Sequence, residues 1–404
     1  MSGKRNIAEL LRPLRKRGVR FTRDGTCLLK SPRNITGEVV IPPCVTEIGK
    51  GAFFMCTELT GITIPDSVTA IGRSAFYDCA SLAEVTIPDG VRKIGACAFH
   101  GVPAVRVSAG NRYFRTDEAG ALFSFRKKSI LFLPAGFSGR YIIPEGTAKI
   151  EEEAFFTCKG LTAITIPDGV KSIGEAAFAW CAHLTEAVIP DSVTEIGECA
   201  FNGCWDLANL KISGQVTEIR GWTFTGCSSL PFLALPDGVT KVASSALDGV
   251  PAVKVSEANS HFRTDGAGAL FSIDDGSIIF LPCRFSGHYV LPEGTKKIGP
   301  GAFWACGLTG VTLPDGMTEV GDNAFYGCVE MTQVHIPGSV TKIGKNAFQH
   351  CDSLREIEIP DGVTKIGEGA FDGCLSLRKA LIPKNVKLGP HAFPKRCKVV
   401  RRQG

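Results

Sequence analysis

The sequence predicts a β-rich solenoid, in which short coils of similar sequence stack on one another. Two observations predict this fold. Ile-Pro or Leu-Pro recurs at a step of 23 residues through most of the 404-residue chain, with one step of 22 and two of 56. Within each unit, apolar residues hold fixed positions that follow neither the helical nor the strand period. Such a fixed period is the signature of a repeat architecture, whose coils bury their apolar sides against each other.

A complete unit spans residues 359–381, numbered here from position 1 to position 23. Apolar residues occupy positions 1, 5, 8, 12, 13, 16 and 19, and usually 22. This pattern predicts a short strand from position 19 into the next Ile-Pro, a turn at Asp-Gly, an extended Val-Thr-Lys-Ile and a tight helical turn at Ala-Phe. The glycine at position 9 is expected to give a corner the backbone freedom that it needs.

Phenylalanine at position 13 and cysteine at position 16 recur in most units. Equal positions stack in a solenoid, so the phenylalanines predict one continuous internal ring stack. The cysteines could form a metal or redox array, but zinc sites need closely paired cysteines or nearby histidines. Valine takes the cysteine's place in two units, at Val102 and Val250, which favours a buried structural ladder of small side chains.

The two steps of 56 residues contain insertions that are copies of each other at an offset of 148 residues. Phe114-Arg-Thr-Asp117 matches Phe262-Arg-Thr-Asp265, and Phe132-Leu-Pro134 matches Phe280-Leu-Pro282. Each insertion holds two short apolar runs around a polar turn, which predict a β-hairpin. We place these hairpin units near residues 105–142 and 253–290.

The string I-P-x-x-V-x-x-I-G-x-x-A-F-x-x-C-x-x-L-x-x-I resembles the BspA-type leucine-rich repeat over about residues 20–397. The resemblance implies a right-handed leucine-rich-repeat solenoid with a parallel sheet on one face and short helical turns, interrupted here by the hairpins. It also implies adhesion and partner recognition at the surfaces of bacteria and some protists. We therefore expect a basic cap segment over 1–20, a single solenoid over 21–397 and a basic tail over 398–404.

Charge is segregated along the chain. Residues 1–20 carry +6 and residues 384–404 carry +7, so the body between them carries −8 of the total of +5. A nucleic-acid groove would place its cations along one continuous face, so we expect no nucleic-acid partner. No run of 18 apolar residues and no secretory signal is visible, which predicts no membrane span and a cytoplasmic location, whereas the family resemblance favours the cell surface.

The amino-terminal segment has apolar residues at helical spacing among its arginines, at Ile7, Leu10, Leu11 and Leu14. Three interpretations remain open: a cap over the exposed end of the solenoid, an interaction segment, or a disordered tail. A cap has the simplest physical motive, because the open end of a solenoid exposes core residues and strand edges.

Catalytic and metal-binding patterns are missing from the sequence. The seven histidines fall at unrelated repeat positions, and the glycines recur with the repeat rather than in a phosphate-binding loop. Aspartate at position 3 is explained by the turn after proline, where its side chain bonds the local backbone. We therefore expect no enzymatic activity, no cofactor and no bound metal.

Positions 20, 21 and 23 vary while their neighbours are fixed, so the predicted sheet face is the expected working surface. Phe232 is apolar where other units are polar, and charged residues follow in later coils, which resembles the apolar centre and polar rim of a protein-binding patch. Four tryptophans outside the ladder positions are further surface candidates, although rim packing against an adjacent coil or insert is the favoured explanation for any one of them. The candidate partner-binding residues are Asn209, Lys211, Phe232, Gln333, His335, Arg355, Glu356 and Glu358.

Taken together, these features predict a monomeric, non-catalytic scaffold of the adhesion type that binds a protein or peptide on its sheet face. The alternative is an intracellular scaffold or regulatory interaction protein, which the cysteines favour because thiols persist in a reducing compartment. The sequence does not name the partner, because a repeat frame leaves specificity to its variable surface residues.

Overall fold

The structure is a computed structural model that describes residues 7–403. The chain divides into two compact units, which we call unit 1 (Met1–Asn209) and unit 2 (Leu210–Gly404). Of the predicted end segments, residues 1–6, with Lys4 and Arg5, and Gly404 lie outside the described residues.

Unit 1 begins with helix α1 (Ile7–Lys16) and continues in short strands. They are β1 (Arg20–Phe21), β2 (Cys27–Lys30), β3 (Gly37–Val40), β4 (Glu47–Ile48), β5 (Leu59–Thr63), β6 (Ala70–Ile71), β7 (Val85–Ile87), β8 (Lys93–Ile94), β9 (Val105–Val107), β10 (Phe114–Thr116), β11 (Leu122–Ser124), β12 (Ser129–Phe132), β13 (Gly139–Ile142), β14 (Lys149–Ile150), β15 (Leu161–Thr165), β16 (Ser172–Ile173), β17 (Glu186–Val188), β18 (Glu195–Ile196) and β19 (Asn209–Lys211), whose first residue closes the unit.

Unit 2 continues with the same kinds of strand. They are β20 (Glu218–Ile219), β21 (Leu233–Leu235), β22 (Lys241–Val242), β23 (Val253–Val255), β24 (Phe262–Thr264), β25 (Leu270–Ser272), β26 (Ser277–Phe280), β27 (Ser286–Val290), β28 (Lys297–Ile298), β29 (Gly307–Thr312), β30 (Glu319–Val320), β31 (Gln333–Val334), β32 (Lys342–Ile343), β33 (Glu356–Glu358), β34 (Lys365–Ile366), β35 (Lys379–Ile382), β36 (Lys387–Leu388) and β37 (Lys398–Arg401).

Each unit is a β-solenoid whose coils pair in parallel along two lines. The first line joins strands around positions 21–23, which we call the sheet-face strands; β33, β35 and β37 are an example. The second joins two-residue strands at positions 7–8, which we call the corner strands; β30, β32 and β34 are an example, and β36, one position earlier in its unit, continues the line. The predicted parallel sheet is therefore confirmed. In the described part of the chain, no helix is long and apolar enough to cross a membrane.

The position-13 phenylalanines form the predicted ring stack, but it is interrupted at the insertions. In unit 2, the rings of Phe303, Phe325, Phe348 and Phe371 stack with centroids 4.7–5.0 Å apart. The two runs that follow an insertion each begin with a phenylalanine ring against which a tyrosine from the adjoining sheet-face strand tilts. Those tyrosines are Tyr141, against Phe155, and Tyr289, against Phe303.

All ten position-16 cysteines are buried, as predicted. The thiol also has a directional role that the sequence did not predict. In Cys79, Cys181, Cys204, Cys328, Cys351 and Cys374, Sγ donates a hydrogen bond to the carbonyl oxygen of the position-13 phenylalanine one coil earlier. In the first coil of each run, Cys56, Cys158 and Cys306 donate instead to the carbonyl oxygens of Pro32, Leu133 and Leu281. In unit 2, the donor–acceptor distance is 3.1 Å from Cys328 to Phe303 and 3.0 Å from Cys374 to Phe348. The ten cysteines are Cys56, Cys79, Cys158, Cys181, Cys204, Cys227, Cys306, Cys328, Cys351 and Cys374.

Positions 10–15 form a chain of turns rather than the helical turn expected from Ala-Phe. Positions 11 and 15 adopt left-handed backbone angles in successive coils, for example Ser74 (φ 53°) and Asp78 (φ 55°). This alternation points the N–H groups of positions 11, 13 and 15 at the next coil: Phe53 N–H, for example, donates to the carbonyl of Ala75 at 2.7 Å. Pairing between coils thus replaces the hydrogen bonds within a helix.

The position-9 glycine is needed for close approach rather than for unusual backbone freedom. A Cβ on Gly72 would lie 2.6 Å from the backbone carbonyl carbon of Gly49 in the preceding coil. Glycine is therefore required because two backbones meet there. The expectation of a special conformation at this corner was wrong for Gly72, which is not among the residues with positive φ.

The insertions form three-stranded antiparallel sheets, β10–β11–β12 and β24–β25–β26. An asparagine anchors each insertion to the coil before it. The Asn111 side chain donates to the carbonyls of Pro88 and Val91, and its Oδ1 accepts the N–H groups of Tyr113 and Phe114. Asn259 makes the matching bonds in unit 2.

The amino-terminal end of unit 1 is covered by α1. Leu11 and Leu14 are buried and belong to the same core cluster as the first coils, whereas Ile7 is largely exposed. At the other end of the chain, residues 398–401, which we expected to be a tail, form β37 and pair with β35. Basic residues at both ends therefore lie on elements that pack against or pair with the terminal coils.

Candidate partner-binding surface

The sheet-face strands present positions 21 and 23 outward and position 22 to the core. In β33, Glu356 and Glu358 are exposed while Ile357 between them is buried. This alternation follows from the two-residue period of a strand. Side chains at the variable positions are therefore free to contact a partner without changing the core.

Four of the predicted binding residues line one open groove in unit 2: Gln333, Arg355, Glu356 and Glu358. The groove encloses about 870 Å³ on the faces of β31, β33 and β35. Three consecutive coils thus contribute to one surface, which places residues 23 positions apart in sequence side by side. Other residues also line it: the polar or charged Thr332, Ser376, Arg378 and Lys379, and the apolar Val334, Ile357 and Leu381.

Strand register fixes the charge pattern of the groove. Glu356 on β33 lies directly opposite Lys379 on β35, which in turn lies opposite Lys398 on β37. Position 20 adds two exposed guanidinium groups in adjacent coils, Arg355 and Arg378. The surface therefore carries cations on two neighbouring rows.

Glu358 is partly neutralised by the carboxyl-terminal end of the chain. The guanidinium of Arg402 lies 2.7 Å from Glu358 and 2.6 Å from Asp361. Because both carboxylates are highly exposed, these ion pairs contribute little stability. Their effect is on charge: with Glu358 paired, Arg355, Arg378 and Lys379 outnumber Glu356 in the groove.

Phe232, the predicted apolar centre, does not line this groove. It precedes β21 in unit 2, is 36% exposed, and has the ammonium of Lys254 3.9 Å from its ring centroid. A cation–π contact of this kind leaves one ring face covered and the rest accessible. The structure therefore separates Phe232 from the four candidates that line the groove.

The remaining candidates are exposed but lie outside the groove lining. Asn209 and Lys211 are the outward residues of β19, at the end of unit 1 and the start of unit 2 respectively. His335 is exposed just after β31. The structure thus gathers half of the eight predicted residues into one groove.

All four tryptophans are between 38% and 49% exposed, at Trp180, Trp205, Trp222 and Trp304. Trp180 and Trp205 meet edge to face with centroids 5.7 Å apart, and Trp304 stacks on Tyr326 at 4.4 Å. These contacts support packing between neighbouring coils. They leave part of each indole accessible.

One side-chain cluster has the composition of a metal site, at Cys97, Glu152 and Glu153 in unit 1. The sequence gives no signal for this cluster, because Cys97 is far from Glu152 and Glu153 in the chain and meets them only in the folded protein. Its chemistry opposes a cation: Arg73 forms an ion pair with Glu152, and burial raises the pKa of the Cys97 thiol, so that the thiol stays protonated. A hydrogen bond from the thiol to Glu153 accounts for the grouping equally well.

Comparison with known proteins supports the repeat assignment. The family model described as the BspA type leucine rich repeat region matches in six copies, over residues 31–108, 139–255 and 276–400, which is more than half of the chain. The unmatched residues 109–138 contain the first hairpin. No curated protein matches the chain.

Solved structures share the fold. A leucine-rich cell surface protein from Faecalibacterium prausnitzii A2-165 is 24% identical with a TM-score of 0.59, over 96% of this chain and 93% of that chain. The pneumococcal vaccine antigen PcpA is 20% identical with a TM-score of 0.56, over 80% of this chain and 89% of that chain. At these identities the likeness concerns the fold alone.

Proposed function

The chain belongs to the BspA-type leucine-rich repeat family, and from this premise we propose that it is a non-catalytic scaffold that binds a protein or peptide in the groove of unit 2. The observation that carries the proposal is the groove over β31, β33 and β35, where variable residues converge on a fixed frame. The core positions of the solenoid repeat from coil to coil, so only the outward residues distinguish one coil from another.

The partner is an acidic segment of a protein or peptide. Arg355, Arg378 and Lys379 lie within one surface, and Arg402 already pairs Glu358. Arginine forms two parallel hydrogen bonds to a carboxylate, so two arginines in adjacent coils suit two acidic side chains of an extended segment. Charge complementarity of this kind gives specificity and speeds association more than it adds raw affinity.

A location at the cell surface accords with this role. One structure of the same fold is described as a leucine-rich cell surface protein and another as a vaccine antigen. We propose the same location for this chain, with adhesion as the resulting activity. Immunolabelling of intact and permeabilised cells tests it, since an intracellular scaffold would be labelled only after permeabilisation.

Site-specific photo-crosslinking tests the groove. Benzoylphenylalanine replaces Glu356 in the groove or, as a matched control, Lys365, which is exposed on corner strand β34. We expect a crosslinked partner from position 356 and none from position 365, and mass spectrometry then identifies it. Equal crosslinks from both positions, or a partner captured only at position 365, would show that the groove is not the binding surface.

A further inference from the structure

The line of corner strands breaks at each hairpin unit, and a cleft lies at each break. In unit 1 the corner sheet ends at β8, and the next sheet begins with the hairpin strands β10–β12 before parallel pairing resumes at β14. The cleft encloses about 620 Å³ between β6 and β8 on one side and the hairpin on the other. We call it the unit 1 cleft.

Apolar side chains form most of its wall. Ile71, Ile94 and Phe114 are buried at its base, and Tyr113 and Leu131 are half-buried beside them. A concave, mainly apolar site of several hundred Å³ with a few polar groups is typical of small-molecule binding.

The rim of the unit 1 cleft is cationic. Arg92, Lys93, Arg126 and Lys127 line it, and no acidic residue does. Lys127 has a partner in Glu151 at 3.4 Å. Among the described residues, Arg92, Lys93 and Arg126 have no carboxylate within salt-bridge distance. Three cations beside an apolar cavity therefore lack neutralising charge.

The copied cleft of unit 2 shows that the hairpin architecture does not require these cations. That cleft encloses about 380 Å³ at the equivalent break. At an offset of 148 residues, Thr240 replaces Arg92, Asp275 replaces Lys127 and Glu218 replaces Ala70, while Lys241 alone keeps a positive charge. The same fold element thus exists in a basic and in an acidic form, and the basic form has the larger cavity.

We propose that the unit 1 cleft binds a small organic anion with an apolar body, of the fatty carboxylate class. The apolar body lies against Ile94, Phe114 and Leu131, and the anionic head meets Arg92 and Arg126 at the rim. A small molecule fits better than an acidic peptide, because a highly charged chain would leave the apolar wall without contacts. This site is separate from the partner-binding groove, which lies in unit 2.

Fluorescence titration of the full chain with 8-anilinonaphthalene-1-sulfonate, an anionic apolar probe, tests the proposal. We expect saturable binding at one site, displacement by dodecanoate and no comparable displacement by dodecanol, which lacks the charge. The double substitution Arg92→Glu/Arg126→Glu should weaken probe and dodecanoate binding by roughly tenfold or more, since two attractive charges become repulsive. Lys241→Glu, at the equivalent place in the unit 2 cleft, should change neither.

Two results would overturn the proposal. Unchanged dodecanoate binding by the double variant would place the ligand elsewhere, and displacement of the probe by hexaglutamate but not by dodecanoate would assign the cleft to an acidic peptide. Thermal melting establishes that the variants fold. If charge reversal prevents folding, Arg92→Gln/Arg126→Gln keeps the test intact, and we expect a several-fold loss of dodecanoate affinity.

Discussion

The thiol of Cys79 donates a hydrogen bond to the carbonyl oxygen of Phe53, one coil earlier, at 3.0 Å. Phe53 and Cys79 therefore connect the same two coils in two ways. The ring of Phe53 stacks on the ring of Phe76, and the thiol of Cys79, three residues after Phe76, bonds to the backbone of the preceding coil. The same bond recurs between Cys351 and Phe325 at 3.2 Å in unit 2. A buried cysteine is thus selected for size and for a weak donor, which explains why valine can replace it only by giving up the bond.

These thiols should make the fold sensitive to alkali. Burial raises the pKa of Cys79 to about 12, from an ordinary value of 9.0. The folded state therefore holds this proton where the unfolded state loses it, so the stabilisation is complete below pH 9 and is lost as pH rises from 9 to 12. At pH 10.5 the ionisation of this one thiol in the unfolded state should lower the free energy of unfolding by about 2 kcal/mol. Urea unfolding at pH 8 and pH 10.5 measures the loss, and Cys79→Val should reduce it. An identical loss in the variant would show that other groups cause it.

The phenylalanine stack predicts a gradient of stability within unit 2. Phe348 lies between Phe325 and Phe371 and is fully buried, whereas Phe393, which ends the stack, is only partly buried. Phe348→Ala should cost about 3–5 kcal/mol, because the neighbouring coils cannot close the cavity. Phe393→Ala should cost clearly less. Chemical denaturation compares the two, and equal losses would count against stacking as the source of stability.

Asp248 should destabilise the fold at neutral pH. Burial raises its pKa to about 6 from 3.8, against a hydrogen bond from the Ser245 side chain that lowers it. The folded state favours the protonated carboxyl group. The stability of the fold is therefore highest, as far as Asp248 is concerned, below pH 3.8, and it falls as pH rises from 3.8 through 6. Asp248→Asn, which stays neutral, should add up to about 3 kcal/mol at pH 7 and almost nothing at pH 4. Urea unfolding at the two pH values measures the gain. A larger gain at pH 4 than at pH 7 would show that Asp248 does not have a raised pKa.

Phe232 should matter little for folding. Its ring is partly exposed and lies beneath the ammonium of Lys254, an interaction worth about 0.5–1 kcal/mol at an exposed site. Phe232→Ala should therefore lower stability by no more than about 1 kcal/mol, and Lys254→Ala by a similar amount. A loss as large as that of Phe348→Ala, measured by the same denaturation, would make Phe232 a core residue.

The sequence predicted the solenoid well because burial repeats with the period. Once position 13 is phenylalanine in coil after coil, its stacking follows from the equal advance of each coil, and the same holds for the cysteines. The turns at positions 10–15 were not predicted as such, because Ala-Phe also suits a helix. Residues there with a left-handed backbone conformation, such as Ser74, adopt it because their N–H groups bond to the next coil. A local sequence pattern does not reveal that pairing.

The candidate sites were predicted less well, because they depend on which coils adjoin. Periodicity placed Arg355 and Glu356 on the outward face, but only the register of β33 and β35 sets Glu356 opposite Lys379. The bond between Arg402 and Glu358 joins residues 44 apart across the end of the solenoid, where the period stops. Likewise, the copied insertions were visible in the sequence, whereas the clefts exist only because each hairpin interrupts a line of corner strands.

The affinity of the purified crosslinking partner for two charge-reversed forms of this protein tests the central claim most directly. Arg355→Glu/Arg378→Glu reverses two cations of adjacent coils in the groove, and Lys365→Glu/Lys387→Glu reverses two exposed cations of adjacent coils on the corner strands. Calorimetric titration should give a loss of about tenfold or more for the first pair and no loss for the second. Equal affinities for the groove variant and the unaltered protein would contradict the assignment of the groove as the partner-binding surface.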